Sequence, residues 1–195
     1  MIAVIDYGAG NTQSVTNVLD ELKVEYIVTN REFDINKSSK IIFPGVGEAS
    51  FAMKKLHLNN LVTMLRVTKK PFLGICLGMQ LLCEKSDEGN VCCLGIIPAV
   101  SHKFDESKVK VPHMGWNKVS FKKESKLFKG ITNNTYFYFA NSYYVPLNDY
   151  VIASAEHGIE FASAIEKDNY FGVQFHPEKS GAAGIQLIKN YIELC

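Results

Sequence analysis

A cysteine flanked by two glycines is the residue of this sequence best suited to nucleophilic chemistry. The segment Gly74-Ile75-Cys76-Leu77-Gly78 follows an apolar, strand-like run, so it is expected at a sharp strand-to-helix turn that needs small neighbours. At the start of a helix, peptide dipoles favour a thiolate, and the N–H of Leu77 can face a developing oxyanion. The motif predicts a nucleophile, although a buried cysteine packed between glycines fits these five residues equally well.

A histidine and a glutamate near the end of the chain can complete the chemistry. The run Phe171-Gly172-Val173-Gln174-Phe175 predicts a strand that delivers His176 at its carboxyl end, the edge where open α/β sheets bind ligands. Glu178 can accept from one imidazole nitrogen while the other nitrogen faces a thiol. Taken singly, His176 fits better as a strand-end histidine bonded to backbone, and Glu178 as a solvated loop carboxylate. Together with Cys76, they predict a triad for attack on a carbonyl carbon.

The elements that must position these groups follow from hydrophobic patterning. In the first half, short strand-like runs alternate with helical periodicity, which indicates a parallel sheet covered by helices. A helix from Cys76 through Leu82 and another across Leu58–Leu65 are among those predicted. Later runs with short turns predict added antiparallel strands: Trp116–Phe121, Thr135–Ala140, Val151–Ala155, Phe161–Ile165 and Tyr170–Phe175. The prediction is one three-layer α/β domain over residues 1–195 with a mostly parallel central sheet.

Composition narrows the functions open to the chain. Its 195 residues are 47% hydrophobic and 21% charged, with a formal net charge of +1. We therefore expect neither a nucleic-acid nor a membrane partner, since there is no strong field and no apolar run of about 18 residues. The five cysteines include no CxxC pair or zinc-spaced cluster, so no metal and no cofactor are expected. Unpaired cysteines and a start without a charged leader predict a cytoplasmic protein.

Five stretches of the chain carry a family resemblance: Ile5–Asn11, Pro44–Gly47, Gly74–Leu82, Pro112–Asn117 and Phe171–Ser180. In their order and motifs they resemble the triad-type class I glutamine amidotransferases, and most closely the glutaminase subunits of imidazole glycerol phosphate synthase. The resemblance implies a flavodoxin-like fold and hydrolysis of L-glutamine to glutamate through a thioester on the cysteine. It further implies that Val46 and Gly47 join Leu77 around the oxyanion, and that glutamine contacts Gly45, Gln80, Ser142 and Tyr143.

The same resemblance implies a protein partner. Family members pass ammonia to a (β/α)8-barrel cyclase, and their docking face corresponds here to Asn11, His113, Met114, Trp116, Asn117 and Lys179. One position departs from the family, because Asn141 stands where a histidine is usual and an amide does not titrate near neutral pH. The ammonia acceptor stays open between the histidine-pathway intermediate and a sugar used in surface-glycan synthesis.

Two alternatives of other classes remain open from the sequence. A cysteine hydrolase or stress protein of related fold would share the turn at Cys76, but it would need neither Gln80 nor the late His-Pro-Glu motif. A non-catalytic docking module could keep the fold, although the intact triad favours catalysis. The other histidines, His57, His102 and His157, are predicted to be surface residues outside the chemistry.

Overall fold

The computed structural model of the protein describes residues 1–8 and 11–195, so Ala9 and Gly10 of the predicted N-terminal turn lie outside the described residues. In chain order the strands and helices are β1 (Ile2–Ile5), α1 (Thr12–Glu21), β2 (Tyr26–Thr29), α2 (Glu32–Lys37), β3 (Lys40–Gly45), α3 (Ala49–Leu58), α4 (Leu61–Val67), β4 (Phe72–Cys76), α5 (Leu77–Gln80), β5 (Cys83–Ser86), β6 (Val91–Cys92), β7 (Ile97–Lys103), β8 (His113–Lys118), β9 (Ser120–Phe121), β10 (Tyr136–Asn141), β11 (Tyr143–Tyr144), β12 (Val151–Glu156), β13 (Glu160–Lys167), β14 (Tyr170–Val173) and α6 (Gly181–Leu194). Short 3-10 helices cover Glu88–Asn90, Lys126–Phe128 and Pro177–Lys179.

An eight-stranded sheet lies at the centre, in the order β2-β1-β3-β4-β14-β13-β12-β9. The first five strands pair in parallel, and β13, β12 and β9 extend the sheet as antiparallel strands. Two smaller sheets, β10-β8 and β11-β7-β5-β6, flank it. The predicted α/β fold with a mostly parallel central sheet and added antiparallel strands is confirmed.

Alternate residues of the parallel strands pack into two separate hydrophobic cores, one on each face of the sheet. Val4 of β1 packs in a core with Val15 of α1 and Leu187 of α6. Its neighbour Ile5 packs in the other core with apolar residues of α3 and α4. Because strand side chains alternate between faces, buried strands covered on both sides read as continuous apolar runs. Within the described part of the chain, no helix is long and apolar enough to cross a membrane.

Several predicted boundaries were wrong. The Leu58–Leu65 helix is two helices, because the chain adopts a left-handed conformation at Asn60, with φ of 56°, between α3 and α4. The run Trp116–Phe121 is also divided into two strands, β8 and β9, with the fully buried Val119 between them. Strand β9 joins the central sheet, whereas β8 pairs with β10 in a separate sheet. His102, predicted to be a surface residue, lies in β7, and its Nδ1 is 2.7 Å from Oδ2 of Asp87.

Candidate active site

The carboxyl ends of three neighbouring parallel strands bring the predicted chemistry together. Strand β4 ends at Cys76, and Gly45 at the end of β3 lies in register with it. On its other side β4 pairs with β14, and the chain continues from β14 to His176. The same edge of a parallel sheet thus carries the cysteine, the histidine and the loop that begins at Val46.

The backbone at Cys76 adopts a conformation that is rare for a residue with a side chain. Its φ is 54° and its ψ is −109°, and such strained geometry costs about 1–3 kcal/mol, which surrounding packing must offset. The side chain is buried, with 6% of its surface exposed. The sequence predicted this sharp turn at the cysteine, and the dihedral angles agree with it.

Helix α5 is much shorter than predicted, because it spans only Leu77–Gln80. The carbonyls of Leu81 and Leu82 accept hydrogen bonds from Leu94 and Ile96, so the chain leaves the helix to join β5. A single turn aligns few peptide dipoles and supports an anion less than the predicted helix would. The N–H of Leu77 is still the first of the helix and has no partner within it, so it is available to an oxyanion.

The glycines around the cysteine are required by close backbone contacts. A Cβ at Gly78 would lie 2.0 Å from the carbonyl oxygen of Phe43 in β3, and a Cβ at Gly74 would lie 2.5 Å from the carbonyl oxygen of Gly78. At Gly45, predicted to bind substrate, a Cβ would lie 2.6 Å from the backbone nitrogen of Gly78. The cysteine turn therefore packs directly on its own strand and on β3, without intervening side chains.

Replacing Gly78 with alanine is expected to lower the free energy of unfolding by about 3 kcal/mol or more, because the added methyl group must displace backbone. Chemical denaturation of the variant measures the loss. The control is Gly130→Ala, where φ is 75° but no atom of the described residues lies within 4 Å of the new Cβ, so about 1 kcal/mol is expected from backbone strain alone. Equal losses in the two variants would contradict the importance of the close contact.

The histidine is held by the glutamate on one side and by the cysteine on the other. Nδ1 of His176 lies 2.7 Å from Oε1 of Glu178, and both side chains are at least 95% buried. Burial alone would lower the pKa of His176, but hydrogen bonds to Cys76 and Glu178, together with their charges, raise it to about 10. Since Nδ1 is engaged by the carboxylate, Nε2 is the nitrogen that hydrogen-bonds with the sulfur of Cys76. The three predicted triad residues thus form one continuous, buried arrangement.

A cavity of about 160 Å³ opens beside the sulfur. It is lined by the residues predicted for the oxyanion and for the substrate, Gly45 excepted: Val46, Gly47, Leu77, Gln80, Ser142 and Tyr143. The backbone of Gly47 has a φ of 92°, a value open to glycine at little cost. Predicted positions from three distant parts of the sequence therefore surround one small space.

The amide of Gln80 has a fixed orientation in this cavity. Its Nε2 donates to the carbonyl oxygen of Tyr143 and to Oε1 of Gln174, both at 2.9 Å. Both hydrogens of the amide are thereby used. The oxygen of Gln80 is the atom that remains for a ligand, so this residue can accept a hydrogen bond from a substrate N–H.

Glu88, which no sequence pattern indicated, contributes a carboxylate to the cavity wall. Its Oε2 accepts from the backbone N–H of Ala49 at 2.9 Å. Burial raises the pKa of Glu88, the hydrogen bond from Ala49 opposes that shift, and the charge of Glu48 adds to it. No motif or periodicity marks this position, because it lies in a 3-10 turn that only the folded chain brings to the cysteine.

The residues predicted to dock a partner differ in exposure, since three are exposed, Asn11 and Asn117 are half-buried, and His113 is buried. Met114 and Trp116 on β8 are 64% and 56% exposed, and Lys179 is exposed as well. His113 is buried, and its Nε2 lies 3.2 Å from the side-chain nitrogen of Asn117. Asn11 caps α1 by accepting from the N–H of Ser14. Met114, Trp116 and Lys179 are therefore the members available for direct contact.

Asn141, which stands where the family usually has a histidine, pairs with His113 of β8 and also lines the cavity. Its Nδ2 donates to the carbonyl oxygen of Tyr143 at 2.9 Å, and Asn141 lies opposite His113 in the β10–β8 pairing. Burial, and next the charge of His157, lower the pKa of His113 to about 4, against the opposing effect of Asn141. The imidazole is therefore neutral at physiological pH, and Asn141 adds no charge beside it.

Comparison with known proteins identifies the class that this fold and site define. Residues 3–194 match the family model described as glutamine amidotransferase class-I. Among solved structures, a glutamine amidotransferase from Thermotoga maritima has a TM-score of 0.65 at 18% identity, covering 98% of this chain and 80% of that one. The structure of PurLQS from the same organism has a TM-score of 0.69 at 18% identity, covering 98% and 96%. At such identities these two structures support the fold alone.

Curated relatives are much closer in sequence. The imidazole glycerol phosphate synthase subunit HisH of Bacteroides fragilis is 47% identical over 195 residues, with 99% of each chain covered. The protein of the same name from Buchnera aphidicola is 44% identical over 194 residues, again with 99% of each covered. The chain belongs to the class I glutamine amidotransferase family and, within it, to the HisH group. The prediction of a glutamine-hydrolysing enzyme is thereby confirmed.

Proposed function

We propose that this protein releases ammonia from L-glutamine through Cys76, His176 and Glu178, and that it delivers the ammonia to a (β/α)8-barrel cyclase in histidine biosynthesis. The observation that carries this proposal is the buried cysteine–histidine–glutamate arrangement beside a small polar cavity. All five cysteines are free, which fits action in the cytoplasm.

The first half of the reaction forms a thioester. The sulfur of Cys76 attacks the side-chain carbonyl carbon of glutamine, and the carbonyl oxygen becomes an oxyanion beside the N–H of Leu77. A second donor comes from Val46 or Gly47 once the peptide of that loop turns inward. Removing one such donor typically costs about 10²–10³ in rate, so the orientation of this loop can set the activity. His176 gives its proton to the nitrogen as the C–N bond breaks, and ammonia leaves.

The second half of the reaction regenerates the cysteine. A water molecule gives a proton to His176 and attacks the thioester carbon, and the C–S bond breaks to release glutamate. Glu178 stays ionised throughout and fixes the imidazole by its 2.7 Å contact with Nδ1. The histidine thus acts as an acid in one step and as a base in the next.

The cavity offers a partner for each end of a glutamine molecule. The carboxylate of Glu88 suits the α-ammonium group, and the oxygen of Gln80 suits the amide N–H of the side chain. The backbone around Ser142 and Tyr143 is assigned to the α-carboxylate, following the family resemblance. Because a buried polar group left unpaired is costly, this pattern discriminates against analogues that lack one of these groups.

The partner assignment can be tested by binding and activity together. With a histidine-pathway barrel cyclase and its nucleotide substrate, we expect glutamate release from glutamine to rise, whereas a sugar-modifying synthase should leave it unchanged. Trp116→Ala should weaken binding to the cyclase at least tenfold, because exposed tryptophans at interface centres often contribute about 2 kcal/mol or more. Isothermal titration calorimetry measures the affinity.

Phe33→Ala provides the matched control for this test. Phe33 is an aromatic residue of α2 that is 58% exposed, close to the value for Trp116. Helix α2 contacts β2 at one edge of the central sheet, whereas β8 contacts β12 toward the other edge. Its replacement is expected to leave the affinity for the cyclase unchanged. Stimulation by the sugar-modifying synthase alone would overturn the proposed acceptor and leave the triad chemistry standing.

A further inference from the structure

Gln174 is a fully buried polar residue that the chemistry described above does not use. It lies between β14 and His176, and its backbone N–H donates to the carbonyl oxygen of Ser163 at 2.8 Å. Its side chain does not face solvent or fill an apolar gap. Instead, Nε2 of Gln174 lies 3.7 Å from the sulfur of Cys76, within range of a hydrogen bond to sulfur.

The direction of this hydrogen bond is fixed by neighbouring groups. A carbonyl oxygen can only accept, so the oxygen of Tyr143 requires the nitrogen of Gln80 to face it. The same nitrogen contacts the side chain of Gln174 at 2.9 Å and must meet an oxygen there. Oε1 of Gln174 therefore faces Gln80, and its NH2 group faces the sulfur. Turning either amide would place two donors or two acceptors together.

We propose that Gln174 is a catalytic residue, whose amide nitrogen donates to the sulfur of Cys76 and stabilises its anionic form before attack on glutamine. The inference rests on the proposed role of Cys76 as nucleophile. A neutral sulfur can donate its S–H to the carbonyl oxygen of Ala140 at 3.8 Å. An anionic sulfur needs donors instead, and hydrogen bonds to charged acceptors are stronger than those between neutral groups.

Gln174 complements the histidine in this role because an amide carries no proton that titrates. The sulfur is anionic before it attacks glutamine and again when the C–S bond of the thioester breaks, and the donor on Gln174 is present at both stages whatever the protonation state of His176. The short helix α5 makes the contact more important, because a single turn gives the anion little support from its dipole. The two ends of the side chain thus have separate tasks: the oxygen orients Gln80 for binding, and the nitrogen supports the nucleophile.

The test follows alkylation of Cys76 by chloroacetamide, a neutral reagent, in the complex with the cyclase. Peptide mass spectrometry gives the rate at this one cysteine from pH 5 to 10. In Gln174→Met, a side chain of similar length without N–H groups, the pH of half-maximal rate should rise by about one unit, equivalent to tenfold. The other titratable groups around the sulfur are His176 with Glu178 behind it, Tyr7, and Glu88 in the wall of the same cavity, and all of them are unchanged in this variant.

Two further variants separate a direct contact from a structural effect. Gln174→Asn keeps an amide in the core but is one methylene shorter, so it should shift the profile in the same direction. Ser163→Ala replaces a fully buried side chain on the adjoining strand that does not touch the sulfur, and it should leave the profile and kcat unchanged. Profiles of Gln174→Met and Gln174→Asn that superimpose on that of the parent protein would overturn the proposal.

Kinetics with glutamine distinguish failure of this inference from failure of the proposed function. Loss of the hydrogen bond from Nε2 of Gln174 to the sulfur should lower kcat at neutral pH about tenfold. Loss of the hydrogen bond between Oε1 of Gln174 and Gln80 should instead raise KM. A rise in KM with kcat and the alkylation profile unchanged would assign Gln174 to substrate binding only and overturn its catalytic role. If Cys76→Ala retained glutamine hydrolysis, the nucleophile itself would be wrong, whatever the variants of Gln174 showed.

Discussion

Replacing Cys76 with alanine is expected to lower glutamine-dependent turnover of the assembled enzyme by about 10⁴-fold or more, because no other group can form the thioester. Turnover supported by added ammonium salts should remain, since free ammonia enters at the partner without this step. Parallel assays with glutamine and with ammonium chloride, on the same preparation, measure the two activities. A buried methyl group occupies less space than the thiol, so the complex should still assemble.

The exposed Cys92 supplies the matched control for this prediction. Cys92→Ala removes a thiol that lies away from the histidine, and both activities should stay at the level of the parent protein. Loss of the ammonium-dependent activity together with the glutamine-dependent one in Cys76→Ala would contradict a division of labour between two proteins.

Changing Glu178 to glutamine is expected to reduce kcat by about 10³–10⁴ without a large change in binding, as for other triads that lose their carboxylate. The amide has nearly the same shape but can no longer stabilise the charged imidazole 2.7 Å away. Steady-state kinetics of glutamate release by the complex measure the loss. Glu193→Gln, an exposed carboxylate near the end of α6, should have no effect.

The direction in which pH affects the stability and activity of Glu178→Gln follows from the pKa of His176. Contacts with Cys76 and Glu178 raise the pKa of His176 to about 10, from an ordinary value of 6.5, against the effect of burial. The protonated histidine therefore stabilises the fold fully below pH 6.5, and this contribution is lost as the pH rises toward 10. Without Glu178 the pKa falls, so the protein should lose stability at neutral pH, and its activity should decline at a lower pH on the alkaline side. An unchanged alkaline limb would show that the carboxylate does not act through His176.

The parallel core and the triad could be predicted because both produce patterns among residues that are close in sequence. Buried strands appear as continuous apolar runs such as Phe72–Ile75, and β-α alternation then requires a parallel arrangement. Since parallel strands share one carboxyl edge, Cys76 and His176 were expected to meet there. Their geometry agrees with that expectation.

Features that depend on distant contacts could not be predicted. Helix α5 ends early because Leu94 and Ile96 donate hydrogen bonds to the carbonyls just beyond it, and nothing within Gly74–Leu82 signals this. Glu88 enters the cavity through a 3-10 turn without periodicity. Strand β8 reverses the usual pattern, with Trp116 outward and His113 inward, so alternation alone would assign its faces incorrectly.

The direct backbone contact at Gly45, Gly74 and Gly78 has a consequence for how such an enzyme can change over evolutionary time. With no side chain between the touching backbones, substitution offers no means of adjusting where the nucleophile stands. The turns that carry Glu88 and Ser142 line the cavity, so substitution there can change which molecule is bound without moving the nucleophile. A designer who wants this scaffold to accept another amide should therefore diversify those turns and leave the glycine contacts as they are.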